Sequence, residues 1–173
     1  MEPTTLPLPA DGRILFYRRD REVFGFLSNF HPAPIELDGE TWPTVEHFYQ
    51  TQKSPDPVYR QAIRQAVSPG RAKRLAAPPG GPRRVSAQSW FRRNQCEPRP
   101  DWHEVKLEVM RRAVRAKFTQ NADLAELLRA TGTAELIEDS ASDPYWGIGA
   151  DGTGSNWLGR VLMEVRAELL ATS

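Results

Sequence analysis

The sequence predicts a single α+β domain, compact and mainly helical, with a few short strands. Three observations lead there. At 173 residues, with 39% apolar and 26% charged side chains, the chain is long enough for one proper core and ordinary for a globular protein. Helical apolar periodicity recurs through its second half, most cleanly in Leu158, Val161, Leu162, Val165 and Leu169. The strand-like runs are short and do not alternate regularly with helices, which favours α+β over a doubly wound sheet. Residues 1–12 are expected to be a flexible N-terminus and residues 13–173 one domain; no internal repeat is visible.

Arg13 to Tyr17 reads as a strand rich in β-formers. Phe24 to Phe30 reads as a loop that carries Ser28 and Asn29 between aromatic anchors. Asp38-Gly39, between Pro34–Leu37 and Glu40–Trp42, signals a tight hairpin. Pro43 then suits a first helical turn and Thr44 can cap it, so the hairpin delivers the chain into a helix beginning near Glu46. A second helix spans Asp56 to Val67 with an imperfect stripe of Val58, Ile63, Ala66 and Val67; a third follows Ser68-Pro69. Residues 78–100 form a long loop rich in Pro, Gly and Arg. Asp101 to Glu104 resembles a capping box for a helix to about Phe118, buried through Val105, Val109, Ala113 and Ala116, with Met110 and Val114 widening the face. Ala122–Ala130 is a further helix closed by Gly132, and Ala134–Glu138 a short strand. A polar, Gly-rich loop spans Asp139 to Ser155, before the last helix at Asn156–Leu170.

Composition narrows the setting. No run of 18 apolar residues exists, so no membrane partner is expected, and residues 1–10 do not look like a signal peptide. The single Cys96 cannot pair internally, which fits a reducing, cytoplasmic compartment; between Gln95 and Glu97 it reads as a surface thiol. Net charge is +1 but uneven: Arg60 to Arg93 holds nine Lys or Arg and no acid, while Thr119 to Ser173 holds nine acids and three Arg. The basic block could contact phosphate or nucleic acid, or simply solvate helices and a loop.

Glu46, Gln50 and Lys53 stand at i, i+4 and i+7 and share one helix face, either a reaction surface or a solvated Glu–Lys row. Gly147-Ile148-Gly149-Ala150-Asp151-Gly152 matches G-x-G-x-x-G literally, but polar residues precede it and no second strand follows the helix, so it is no dinucleotide fingerprint. It remains a glycine loop leading into a helix whose N-terminal N–H groups are expected to be free, either a phosphate site or a flexible surface loop. Asp143 with Tyr145 and Trp146 precedes it, and Trp102 is a second candidate for stacking on a base. His31, His47 and His103 lack metal-ligand spacing, so neither a metal nor another cofactor is expected.

With these residues assembled, the chain resembles the NADAR (YbiA-like) family. The matching segments are Phe26–Phe30; Ile35 with Asp38-Gly39; Trp42–His47 with Gln50, Gln52 and Lys53; Ser68-Pro69 with Ala72-Lys73; Trp102 with Met110; Lys117-Phe118; Leu128 with Thr131-Gly132; Leu136 with Glu138; Asp143 with Trp146–Gly149; and Gly154, Asn156, Leu158-Gly159, Leu162-Met163 and Arg166. Ala76-Ala77 stands where the family usually has Gly-Arg, and Arg83, Arg84, Arg92 or Arg93 could supply the missing arginine. The resemblance implies a compact α+β N-glycosidase that cleaves a ribosyl C1–N bond. Family substrates are phosphorylated ribosylaminopyrimidine intermediates of riboflavin synthesis or ADP-ribose on guanine in nucleic acid.

Carried onto this chain, the resemblance implies Glu46 as catalytic carboxylate and Asp143 as its partner. Lys53 would hold phosphate, tune Glu46 or form an imine with an opened sugar. Trp102 and Trp146 would wall the base, with Asn29 and Gln50 beside the ribose. Gly147, Gly149, Gly152 and Asn156 would cradle phosphate. The acid-free block favours ADP-ribosylated nucleic acid as the partner over a small riboflavin intermediate. The rival of another class is a module that binds ADP-ribose without cleaving it. Oligomeric state is not legible.

Overall fold

The computed structural model describes residues 6–17, 23–76 and 96–172. Strand β1 (Arg13–Phe16) runs parallel to β4 (Glu135–Glu138), with Ile14 opposite Leu136 and Phe16 opposite Glu138. Between them come the hairpin β2 (Ile35–Leu37) and β3 (Glu40–Trp42), then helices α1 (Val45–Thr51), α2 (Pro57–Arg64), α3 (Pro69–Leu75), α4 (Trp102–Gln120) and α5 (Ala122–Ala130); α6 (Trp157–Ala171) follows β4. Six helices and two two-stranded sheets among the described residues make the α+β architecture expected. No helix among them is long and apolar enough to cross a membrane.

Local chemistry explains most boundaries. Asp38 and Gly39 both have positive φ, 57° and 76°, the geometry that a two-residue hairpin turn needs. Thr44 caps α1 by accepting from His47 N at 3.3 Å, so Pro43 precedes the cap and lies outside the first turn. Asp56 caps α2 through Val58 N and Tyr59 N, and Ser68 caps α3. Phe24 to Phe30 contains one 3-10 turn, Gly25–Leu27, inside the expected loop.

Three further details depart from the sequence reading. Helix α2 stops at Arg64 and packs through Tyr59 and Ile63, leaving Val58 and Val67 exposed. Tyr59 directs this face because its hydroxyl donates to Gln50 O at 2.8 Å while its ring fills the space below α1. Cys96 is buried with Tyr59, Ile63, Ala72 and Ala76, because Ser54 Oγ binds Glu97 O and Arg99 N binds Lys53 O, drawing residues 96–99 against the end of α1. Asp101 does not cap α4 with its side chain; Arg99 holds that carboxylate instead, at 2.7 and 2.9 Å.

Helix α4 is the centre of the core. Its Val109, Met110, Ala113, Val114, Ala116 and Phe118 pack among α1, α5 and α6. Helix α6 buries Leu158, Val161, Leu162, Val165 and Leu169 against α4 and β4, as its stripe predicts. Residues 78–95 of the long loop, with Arg83, Arg84, Arg92 and Arg93, lie outside the described residues, as do residues 1–5 of the N-terminus.

Candidate active site

The first turn of α1 carries Glu46, and burial decides how its face is used. Glu46 is 5% exposed and Gln50 3%, so this is no solvated row. Gln50 Nε2 donates to Glu46 Oε1 at 2.8 Å, and Gln50 Oε1 is left without a partner among the described residues. Glu46 N donates to Asn29 O at 3.2 Å, which fastens the Phe24–Phe30 loop to the start of the helix. That loop is held from below by Lys117, whose buried Nζ donates to Phe26 O at 2.6 Å and Ser28 O at 2.9 Å. Burial pushes the Lys117 ammonium down to about 7.

Helix α1 ends at Thr51, so Lys53 lies in the turn beyond it. Its Nζ stands 5.7 Å from the centre of the Tyr49 ring and 5.8 Å from that of Trp102. Burial pushes this amine down to about 8; Lys73 and Lys106 add to the shift, and Glu46 and Asp143 oppose it. Tyr49 packs between the two tryptophans, with ring centres 5.0 Å from Trp102 and 5.5 Å from Trp146. Lys106 Nζ sits 3.5 Å over the Tyr145 ring. Asp143 Oδ1 accepts from Tyr145 N and Trp146 N, so this carboxylate sets the turn that presents Trp146. The Asn29 amide donates to Met110 Sδ at 3.4 Å.

The glycine loop does different work from a phosphate cradle. Asn156 N, Trp157 N and Leu158 N donate to Gly147 O, Tyr145 O and Trp146 O, so the first amides of α6 are engaged by the loop's own carbonyls. A Cβ at Gly147 would come 2.5 Å from Glu138 O, so the glycine is required by close packing on β4. Gly149 turns with φ 70° against Pro144, and Gly152 lies in an exposed turn. Asn156, in the left-handed region, bonds β4 twice: Oδ1 accepts from Glu138 N at 3.0 Å and Nδ2 donates to Leu136 O at 2.9 Å.

The NADAR domain profile matches residues 15–170. The chain belongs to the NADAR family. It is 44% identical over 160 residues to N-glycosidase YbiA of Shigella flexneri, covering 92% of this chain and 89% of that protein. It is also 44% identical over 156 residues to riboflavin biosynthesis protein VVA0006 of Vibrio vulnificus, covering 90% of this chain but 38% of that one. The NMR structure of the Escherichia coli protein YbiA superimposes with a TM-score of 0.75 at 42% identity, over 92% of this chain and 85% of that structure.

For this NADAR chain, Glu46, Gln50, Lys53, Trp102, Asp143 and Trp146 are therefore linked around Tyr49 by contact or charge, while Gly152 is not joined to them. Among the described residues no cluster of three His, Cys, Asp or Glu could hold a metal. His47 has both ring nitrogens engaged, by Thr44 Oγ1 and Ala66 O. Sequence reasoning missed Lys73, Lys106 and Glu138 as site groups. Burial pushes the Glu138 carboxyl up to about 8, with Asp143 and Glu46 adding to the shift and Lys73 opposing it. Its signal was there: Glu138 stands two residues beyond buried Leu136, on the same face of β4.

Proposed function

We propose that the chain is an N-glycosidase that removes ADP-ribose from guanine in nucleic acid by cleaving the ribosyl C1–N bond. The observation that carries the N-glycosidase reading is the desolvated Lys53 amine beside buried Glu46 under the wall of Tyr49, Trp102 and Trp146. Relatives named N-glycosidase support it. With its pKa near 8, about a tenth of Lys53 is free amine at pH 7, a usable nucleophile. Cleavage develops positive charge at C1, which Glu46 and Asp143 would stabilise. Lys53 Nζ bonds to C1 as the base departs with the electron pair of the C1–N bond. The sugar ring opens to an iminium, and water then frees the amine and the ribose aldehyde. Exposed Arg71, Lys73 and Arg74 on α3, absent from the ion pairs among the described residues, suit a polyanionic carrier.

A second reading, a phosphorylated ribosylaminopyrimidine intermediate of riboflavin synthesis, is favoured by relatives with that pathway in their names. It is also favoured by Arg60 and Arg64, which are tied to Glu40 and so withdrawn from the basic block. The test is turnover of a guanine-ADP-ribosylated oligonucleotide beside the ribosylaminopyrimidine phosphate. Release of ADP-ribose supports the first reading, and cleavage of only the pyrimidine supports the second. Tight ADP-ribose binding without turnover of either makes the chain a reader and overturns both. Borohydride during turnover should fix a sugar on Lys53 and none on Lys53→Arg; active enzyme that traps nothing would remove the imine.

A further inference from the structure

We propose that Glu138 is the acid that protonates the departing base nitrogen. The proposal rests on the N-glycosidase reading. That nitrogen, as an amine joined to an aromatic ring, is a poor leaving group unless it gains a proton as the bond breaks.

The backbone of Glu138 is among the most firmly held in the site. Its N–H donates to Asn156 Oδ1, and its carbonyl accepts from Ser140 N at 2.9 Å and Ile148 N at 3.0 Å. Its carboxyl is the opposite: Oε2 is buried and has no partner among the described residues. A buried carboxylate kept for structure is normally satisfied, so a braced residue with an idle oxygen points to a missing partner. Glu46 and Asp143, by contrast, already accept hydrogen bonds, from Gln50 Nε2 and from two backbone amides.

The position follows from shared neighbours. Glu46 on α1, Asp143 in the loop before α6 and Lys73 on α3 all act on the charge of Glu138, and the same three act on Lys53. Glu138 O also holds the N–H of Ile148, in the loop whose Trp146 packs on Tyr49, the ring that lies against Lys53. Burial, with the two anions reinforcing it against Lys73, keeps the carboxyl protonated up to about pH 8.

The step balances. Lys53 Nζ bonds to C1 and the C1–N bond breaks. Its electron pair stays on the base nitrogen, which takes the Glu138 proton and leaves as a neutral amine. Glu138 is then a carboxylate beside the cationic sugar adduct. Water adds during hydrolysis, the aldehyde forms, and the surplus proton returns to Glu138 as Lys53 is freed.

The experiment compares wild type with Glu138→Gln on two ribosyl 5-phosphates, one of an ordinary arylamine and one of a nitro-substituted arylamine that departs with little need of a proton. The expected loss in kcat is about 10²–10⁴-fold on the first and less than about tenfold on the second, with KM nearly unchanged. Glu138→Gln should also lose the fall in rate at alkaline pH. Equal losses on both substrates, or an unchanged alkaline limb, would overturn the role. Carboxyl ¹³C resonances of wild type provide a reading that needs no variant: one glutamate should titrate near pH 8, and none above pH 6 would overturn it. Wild type that cleaves neither of these, nor the ADP-ribosylated oligonucleotide and the ribosylaminopyrimidine phosphate, removes the N-glycosidase reading itself, whereas wild type that cleaves while Glu138→Gln keeps its rate removes only this assignment.

Discussion

The sharpest consequence of the two shifted groups is a narrow pH optimum. In the proposed mechanism Lys53 works as the free amine, so rate should rise with pH through its pKa; Glu138 works as the acid, so rate should fall through its own. Both lie at about 8. Treated independently, the working form is about a quarter of the enzyme at pH 8 and about a hundredth at pH 6 and pH 10, roughly a 25-fold rise and an equal fall. The assay is kcat/KM on a fixed ribosyl substrate from pH 5.5 to 10.5, which reports the free enzyme. Lys73 acts on both groups, so a perturbation there should move both limbs together. Lys73→Met removes a like charge from Lys53 and an opposite one from Glu138, raising both pKa values and sliding the whole optimum to higher pH. A rate that is flat between pH 6 and 8, or a Lys73→Met profile whose limbs move in opposite directions, would refute the reasoning.

Other expectations are simpler to measure. Glu46→Gln should reduce kcat by about 10³-fold or more while calorimetry still detects product binding, because the amide keeps the shape and loses the anion. Lys117 is protonated more readily in the unfolded chain than in the fold, where burial holds it near 7, so its contribution strengthens stability as pH rises from about 7 to 10.5. Urea melts of Lys117→Met should therefore lack this rise, about 1.4 kcal/mol per pH unit at its steepest; identical slopes would refute it. Asn156→Gly keeps the left-handed turn but removes two hydrogen bonds to β4, so it should destabilise by about 1–3 kcal/mol and depress kcat through Glu138. A variant with wild-type melting temperature would show that β4 does not need that side chain.

What the sequence made legible was whatever local rules decide. The Asp38-Gly39 turn, the start of α3 after Ser68 and the α6 stripe each depend on a few neighbouring residues, and each appears as expected. The parallel pairing of β1 with β4 was not legible, because it joins residues more than a hundred positions apart. Burial of Cys96 depends likewise on a return of the chain to Ser54 and Lys53. At the site, the shared face of Glu46 and Gln50 followed from helical spacing. The glycine loop misled because its motif says nothing about which carbonyls occupy the α6 amides. Lys117 and Glu46 break the rule that charged side chains stay outside, Glu138 buries an unpartnered carboxyl oxygen, and such violations concentrate where function or positioning requires them.

The placing of the Lys53 amine, in the turn after α1, relative to Glu46 in its first turn depends on Tyr49. Seven positions separate Glu46 from Lys53, about 10 Å of axial rise if the helix continued. A lysine stem spans about 6 Å, so an outward Lys53 would leave the carboxylate far behind. Instead its Nζ folds back over the Tyr49 ring, three positions from Glu46, and Trp102 closes above it. The ring thus steers the amine toward the acid and removes the water that would keep it protonated. Tyr49→Leu should retain the buried volume below but withdraw that platform. Lys53 would then return toward its ordinary pKa of 10.5, and the rising limb of the pH profile would move to higher pH. Because Glu138 is untouched, the falling limb would stay, and the two would pull apart into a lower maximum. A rising limb that remains near pH 8 in Tyr49→Leu would show that the amine is held by other walls of the site.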